Sequence, residues 1–350
     1  MDDFQAELRA AVEAYDFREV HPNLRVGTAS DREAGWLGQI YDDETWRETV
    51  TTRARKLSTG SFEERILPIE SVADYFEHFA VLELDFTYYR PLLTPDGDAE
   101  KGWGVLRQYA DHAPPDALFL LKAPGQFFSR TLRRQQEGRA VYTENPGYLD
   151  APAYVSQFHA PALDLLGERL TGVVFEQEYG RKEDAPAPEA FVDGLDGFFG
   201  ALPTDVQPHL EIRSPHLLTP AYFDFLEARG LGHVFAHWQW LPPIREQWTK
   251  IGGRITAADG NVVARYTSPL RMSFEESYAQ AHPFEAPVPE WEASPDTQRL
   301  VLDAVALLYQ CEKQDAMFNL VVNNRVYGNA PALAQRIARR VLDEEAKRDA

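Results

Sequence analysis

The sequence predicts an α/β protein built as a single (β/α)8 TIM-type barrel, with an extra N-terminal helix and long loops after several strands. Three observations carry that expectation. Short apolar runs recur eight times, each followed by polar or turn residues and then a segment with helical spacing, the signature of βα units around a parallel sheet. No Gly/Ser-rich or Pro-rich linker divides the chain. The 350 residues would fill roughly two domains of about 150 residues, but one large barrel accommodates them equally well. An open doubly wound sheet is the competing architecture.

Taken in order, Phe4, Leu8, Val12 and Tyr15 form an apolar stripe that predicts a helix before the barrel, expected to cover its bottom. Residues 1–20 are thus read as a helical extension and 21–350 as the barrel domain. The expected strands are Leu24–Thr28, Val81–Phe86, Leu118–Lys122, Gly172–Glu176, His209–Arg213, His233–His237, Asn261–Tyr266 and Phe318–Asn323. Between them, Tyr154, Phe158, Ala162 and Leu165, and again Val301, Ala304, Leu308 and Cys311, recur at helical spacing. Thr219-Pro220 and Ser294-Pro295 each place a capping hydroxyl before a proline at the first helical position. The segment 181–188 is charged and proline-rich, and the segments 241–261 and 272–289 are long for such connections; long connections after strands are where barrels keep function.

Composition narrows the function. Apolar residues make up 44% and charged residues 26% of the chain, which excludes fibrous and disordered classes. With 35 Lys and Arg against 55 Asp and Glu, the net charge of −20 argues against nucleic-acid binding, which needs clustered positive charge. One cysteine rules out an internal disulfide and a multi-cysteine metal or cluster site. The first residues lack a basic and apolar leader, and no apolar run reaches the roughly 18 residues that cross a bilayer, so a cytoplasmic location is expected and no membrane partner. The oligomeric state is not legible.

Strand alternation then points at a site. In Leu82-Glu83-Leu84-Asp85 the leucines should face the helix ring and the two acids the barrel interior; in Leu210-Glu211-Ile212-Arg213 the same logic turns Glu211 and Arg213 inward. Lys122, Glu176, His237, Arg265 and Asn323 are read as the last inward positions of their runs. Active sites of such barrels gather at the C-terminal strand ends, so this convergence predicts a small-molecule pocket, against the plainer reading of a cross-linking ion network. Lys122 either grips an anion or acts as a desolvated base or nucleophile. Tyr88 and Tyr89 follow the second strand, either packing or presenting a hydroxyl, and Trp238 and Trp240 either pack or form a stacking platform. No histidine spacing resembles a metal-ligand pair, and no phosphate-binding glycine loop occurs, so neither metal nor cofactor is expected.

These motifs resemble the YecE-like family, known as domain of unknown function 72. The resemblance runs from about Leu24 to Val341 through Arg25-Val-Gly-Thr28, Gly35-Trp-Leu-Gly-Gln-Ile-Tyr41, Leu82-Glu-Leu-Asp-Phe-Thr-Tyr-Tyr-Arg-Pro91, Leu121-Lys-Ala-Pro124, Leu210-Glu-Ile-Arg-Ser-Pro215 and Val322-Asn-Asn324 with Gly328 and Ala330-Pro331. It implies a TIM barrel similar to the xylose-isomerase and endonuclease-IV type and no established reaction. It highlights Glu83, Tyr89, Lys122, Glu211, Arg213, Arg265 and Asn323. Departures mark a divergent member: Glu176 stands where the family has glutamine, an aspartate near the sixth strand end is missing with His237 nearby, and the seventh strand's Arg-Leu-His-Gly is reduced to Arg265-Tyr-Thr.

The leading expectation is an enzyme for a small anionic or sugar-like substrate, a hydrolase, isomerase or lyase. Glu83, Lys122 and Glu211 would be catalytic, and Asp85, Tyr89, Glu176, Arg213, His237, Arg265 and Asn323 would bind substrate. A metal-dependent phosphoesterase using Glu83, Asp85, Glu211 and His237, and a non-catalytic ligand-binding protein, are the alternatives.

Overall fold

The computed structural model describes residues 3–136, 139–183 and 185–348, so the charged stretch 181–188 lies within the described residues except Asp184. Twelve strands occur among them: β1 Leu24–Thr28, β2 Thr51–Leu57, β3 Gly60–Ile66, β4 Val81–Leu84, β5 Leu118–Lys122, β6 Thr131–Gln136, β7 Arg139–Glu144, β8 Leu170–Gln177, β9 Pro208–Ile212, β10 Gly232–His237, β11 Asn261–Tyr266 and β12 Met317–Val322. Eight of these close a parallel barrel in the order β1-β12-β11-β10-β9-β8-β5-β4. They are the eight expected runs, each within two residues at either end. The remaining four form two antiparallel hairpins, β2-β3 and β6-β7, which the sequence reading did not anticipate.

Alternation sorts the barrel into two cores. Val81, Leu120, Val174, Val234, Val263 and Val321 fill the interior together with Ala29, while Leu82, Leu84, Phe119, Leu121, Phe175 and their like pack against the helices. The helix ring is set by local signals. Thr219 accepts from the Tyr222 amide and Ser294 from the Thr297 amide, each ahead of a proline at the first helical turn. The segment around Phe158 is helical but carries a π-turn over Val155–His159.

The N-terminal helix Asp3–Glu13 lies along the last helix of the ring, Ala330–Arg348. Arg9 pairs with Asp343 at 2.9 Å, and the Gln335 amide donates to the Val12 carbonyl at 3.1 Å.

Two features of the described residues position the site. First, the chain leaving β4 is pinned to β5, because the Thr87 hydroxyl donates to the Lys122 carbonyl at 2.7 Å. Second, hairpin β2-β3 is held beside the barrel mouth by the helix Phe274–Ala281. Tyr278 donates its hydroxyl to Glu64 at 2.8 Å, the Phe62 and Tyr278 rings lie 5.2 Å apart, and His282 Nε2 meets the Glu63 carbonyl at 2.9 Å.

Candidate functional site at the barrel mouth

At the C-terminal end of the strands opens a cavity of about 920 Å³. Of the expected site residues, Glu83, Asp85, Tyr89, Lys122, Glu176, Arg213, Arg265 and Asn323 line it. Nine of its lining residues are Lys or Arg and six are Asp or Glu, an excess of cations in a chain whose acids outnumber its bases by 20. The cavity therefore has the opposite sign to the protein around it.

Its floor is an ion network built by strand register. Glu176 and Glu211 are direct partners on adjacent strands β8 and β9, a like-charge pair that needs a cation between. Arg213 supplies one, contacting Glu176 at 2.8 Å and Glu211 at 3.0 Å. Arg265, from β11, grips Glu83 through Nε at 2.5 Å and its other nitrogen at 2.6 Å, and bonds the second Glu211 oxygen as well. Lys122 completes the set against Glu176 and stands 4.8 Å from the centre of the Tyr88 ring. Glu83, Glu211, Glu176, Lys122 and Arg265 are all buried.

Burial sets the proton affinities of this network against its charges. Burial penalises the charged form of Glu176, yet Arg213, Lys122 and Arg265 more than offset that and hold its carboxyl down at about 2. Burial lowers the Lys122 ammonium below its usual range, against the pull of Glu176. For Arg265 the order reverses: burial works against the charge, and Glu83 and Glu176 overcome it, raising the pKa.

Two expectations need correction. His237 does not face the cavity. Val234 and Val263 are register partners in the interior core, so Val234 and Ala236 point inward and His237 points out to the helix layer. There its Nδ1 lies 2.8 Å from the Ser268 carbonyl and its ring 5.8 Å from Tyr266. Glu211 faces inward but sits beneath the cavity, fully buried, with both oxygens taken by Arg213 and Arg265. Neither oxygen is open to the cavity. With His237 turned away and Glu211 covered, the set proposed for a metal does not assemble; among the described residues no group of three or more His, Cys, Asp or Glu is arranged to hold a metal ion.

Above the floor, Asp85 stands at the start of the turn after β4 without a side-chain capping bond and is open to the cavity, with no ion-pair partner among the described residues. Though the side chain is solvent-accessible, desolvation by the surrounding cavity walls raises its carboxyl above the ordinary range, with Lys122 pulling the other way and Glu83 adding to the rise. Tyr89 stands at the rim, 75% exposed. Asn323 accepts from the Arg325 amide at 3.0 Å and so fixes the turn after β12.

Sequence reasoning missed the rest of the wall. Arg53 and Arg55 arrive on hairpin β2-β3, and Arg325 on the turn after β12. Asp31 and Glu33, in the loop after β1, are pushed up by burial to about 6 and about 7. The Asp31 carboxylate accepts from the Tyr109 hydroxyl at 2.9 Å. Arg325 carried a readable signal, since it lies three residues past a strand end; the hairpin arginines carried none. Trp238 and Trp240 do not line the cavity but flank it, with Tyr179 6.1 Å from Trp238 and Arg213 5.1 Å above the Trp238 ring.

This architecture has solved counterparts. A DUF72 family protein of Enterococcus faecalis matches with a TM-score of 0.52 at 15% identity, over 91% of this chain and 95% of that one. One from Thermotoga maritima matches with a TM-score of 0.51 at 17% identity, over 91% and 99%. At such identity they speak to the fold alone. No curated protein matches the chain. The family model described as "Protein of unknown function DUF72" matches residues 25–350, which takes in every barrel strand but the first residue of β1 and every charged group of the floor. The chain belongs to the DUF72 family.

Proposed function

We propose that this protein is an enzyme that takes a small polar, anionic or sugar-like substrate into the barrel mouth and works on it by proton transfer. The observation that carries the reading is the sign of the cavity: nine cations against six carboxylates in a strongly acidic chain. Within it Asp85 is the proton-transferring group. It is open to the cavity and in no ion pair among the described residues, and desolvation with the nearby Glu83 raises its pKa above the ordinary carboxylate range, the direction that favours a carboxyl able to hold a proton as well as release it. Glu83 shares the cavity surface but has both oxygens held by Arg265, so it serves as a fixed anion that orients the guanidinium. Lys122, locked to Glu176 at the edge of the floor, offers its remaining N–H donors to substrate oxygens. A cytoplasmic setting belongs to the same reading, supported by the single, buried cysteine, Cys311.

The test is turnover. The purified chain is incubated with pooled sugars, sugar acids and sugar phosphates, and depletion is followed by mass spectrometry beside Asp85→Asn. Depletion of a pool member that the variant slows by about 10²–10⁴-fold is expected. Identical pools with both proteins would refute the proposal.

A further inference from the structure

The floor spends its own charge: Glu83, Glu176 and Glu211 face Lys122, Arg213 and Arg265, three against three. Whatever attracts a net anion must therefore lie elsewhere in the cavity. The wall formed by hairpin β2-β3, the helix Phe274–Ala281 and the turn after β12 supplies it. Arg325 stands 4.5 Å from the centre of the Phe274 ring, and Arg55 stands 5.5 Å from the same centre and 4.9 Å from that of Tyr278. A guanidinium over an aromatic face keeps N–H groups at its edge available for an oxyanion.

The local charge is incompletely answered. Glu64 is shared by Arg53 at 2.6 Å, Arg55 at 2.7 Å and the Tyr278 hydroxyl at 2.8 Å. Arg325 forms no ion pair among the described residues, and its buried Nε has no hydrogen-bond partner. Burial pushes its pKa down to about 10 against the pull of Asp85, and Arg55, Arg213 and Arg265 add to the fall. A partly desolvated cation without a counter-ion is costly, and a bound anion relieves that cost.

We infer that Arg325 and Arg55, standing on Phe274, are the station for the anionic group of the ligand. The ligand is then a small sugar or polyol carrying a phosphate or carboxylate. Its charged end rests on this wall, and its uncharged end reaches Asp85 and the floor. The inference rests on the reading of the cavity as a substrate site, and it moves the anion grip from Lys122 to a wall outside the barrel strands.

Calorimetric titration of the full chain with glucose, glucose 6-phosphate, gluconate and inorganic phosphate tests it. At least one anionic sugar should bind more tightly than glucose, and the phosphate and gluconate arms tell which oxyanion the station takes. Arg325→Gln and Arg55→Gln should each cut that advantage by about tenfold. Lys101→Gln removes the same charge from the same cavity and should leave the advantage nearly intact. The inference falls if Lys101→Gln or Lys122→Met costs as much as Arg325→Gln, or if no anion outbinds glucose. Arg55 lies on the exposed hairpin, so its variant decides the matter if Arg325→Gln fails to fold. Anion binding lost with Arg325 and Arg55, in a protein whose Asp85→Asn pools match wild type, would keep the station and remove the enzyme.

Discussion

Arg265 and Glu83, 182 residues apart in the chain, meet in a two-pronged ion pair at the centre of the barrel, with nitrogen–oxygen distances of 2.5 and 2.6 Å. Both are almost wholly removed from solvent, at 3% and 1% exposure. Such a pair repays its desolvation only while both members are present. Arg265→Met should therefore cost about 3–5 kcal/mol in denaturant unfolding, because it strands Glu83 and removes one of Glu211's two partners. Adding Glu83→Leu should restore a large part of that loss. A double variant as unstable as the sum of the singles would contradict this account.

Glu176 holds the Lys122 pKa up against burial. Once Glu176→Gln removes that anion, burial and the nearby Arg265 and Arg213 all act to lower the Lys122 pKa. The expected outcome is faster carbamylation of Lys122 by cyanate near pH 8, read site by site by mass spectrometry. An unchanged rate would mean that Glu176 does not govern the lysine's proton.

His209 fills the lower barrel because its neighbours on both sides are glycines. A Cβ on Gly232 would come within 2.1 Å of the His209 ring, and one on Gly172 within 2.8 Å. Gly232→Ala should lose about 1–3 kcal/mol or more through overpacking. In a double-mutant cycle His209→Ala should recover part of it; strict additivity of the two would sink the explanation.

Two buried histidines give stability a pH dependence of definite sign. Burial lowers His209 to about 4 and His233 to about 3, against an ordinary value near 6.5. The unfolded chain binds their protons first as pH falls, so their contribution is fully present above pH 6.5 and is lost on acidification from there towards about 4 for His209 and about 3 for His233. For His209 the loss is on the order of 3 kcal/mol. Asp31 and Glu33, raised by burial, act in the opposite direction over a partly shared window. The difference in unfolding free energy between wild type and His209→Asn, plotted against pH, cancels their effect and should shrink below pH 6.5. A flat difference would show that His209 is not held neutral.

How far the sequence reached varies strand by strand. β4 and β9 alternate apolar and charged residues, so polarity itself fixed which side chains enter the barrel. β10, Gly232–His237, is buried along its whole length, and a run without a polar face has no phase to read. His237 was therefore placed on the wrong side, and only the pairing of Val234 with Val263 decides it. Hairpin β2-β3 was invisible for the converse reason. Its residues are mostly polar and exposed, and it acquires an apolar contact only when Phe62 meets Tyr278 from another part of the chain.

By itself the sequence determined the number and order of the barrel strands and the convergence of Glu83, Lys122, Glu176, Arg213, Arg265 and Asn323 on one end, because period-two polarity and short punctuated runs are local properties. Which charges cancel and which remain open was decided only by the tertiary structure. Arg265 reaches Glu83 across the barrel, while Asp85 and Arg325 are in no ion pair among the described residues, and a hairpin from outside the barrel brings Arg55 to the same ring as Arg325. Ionic attraction falls with distance and with solvent access, and both are set between segments that lie far apart along the chain.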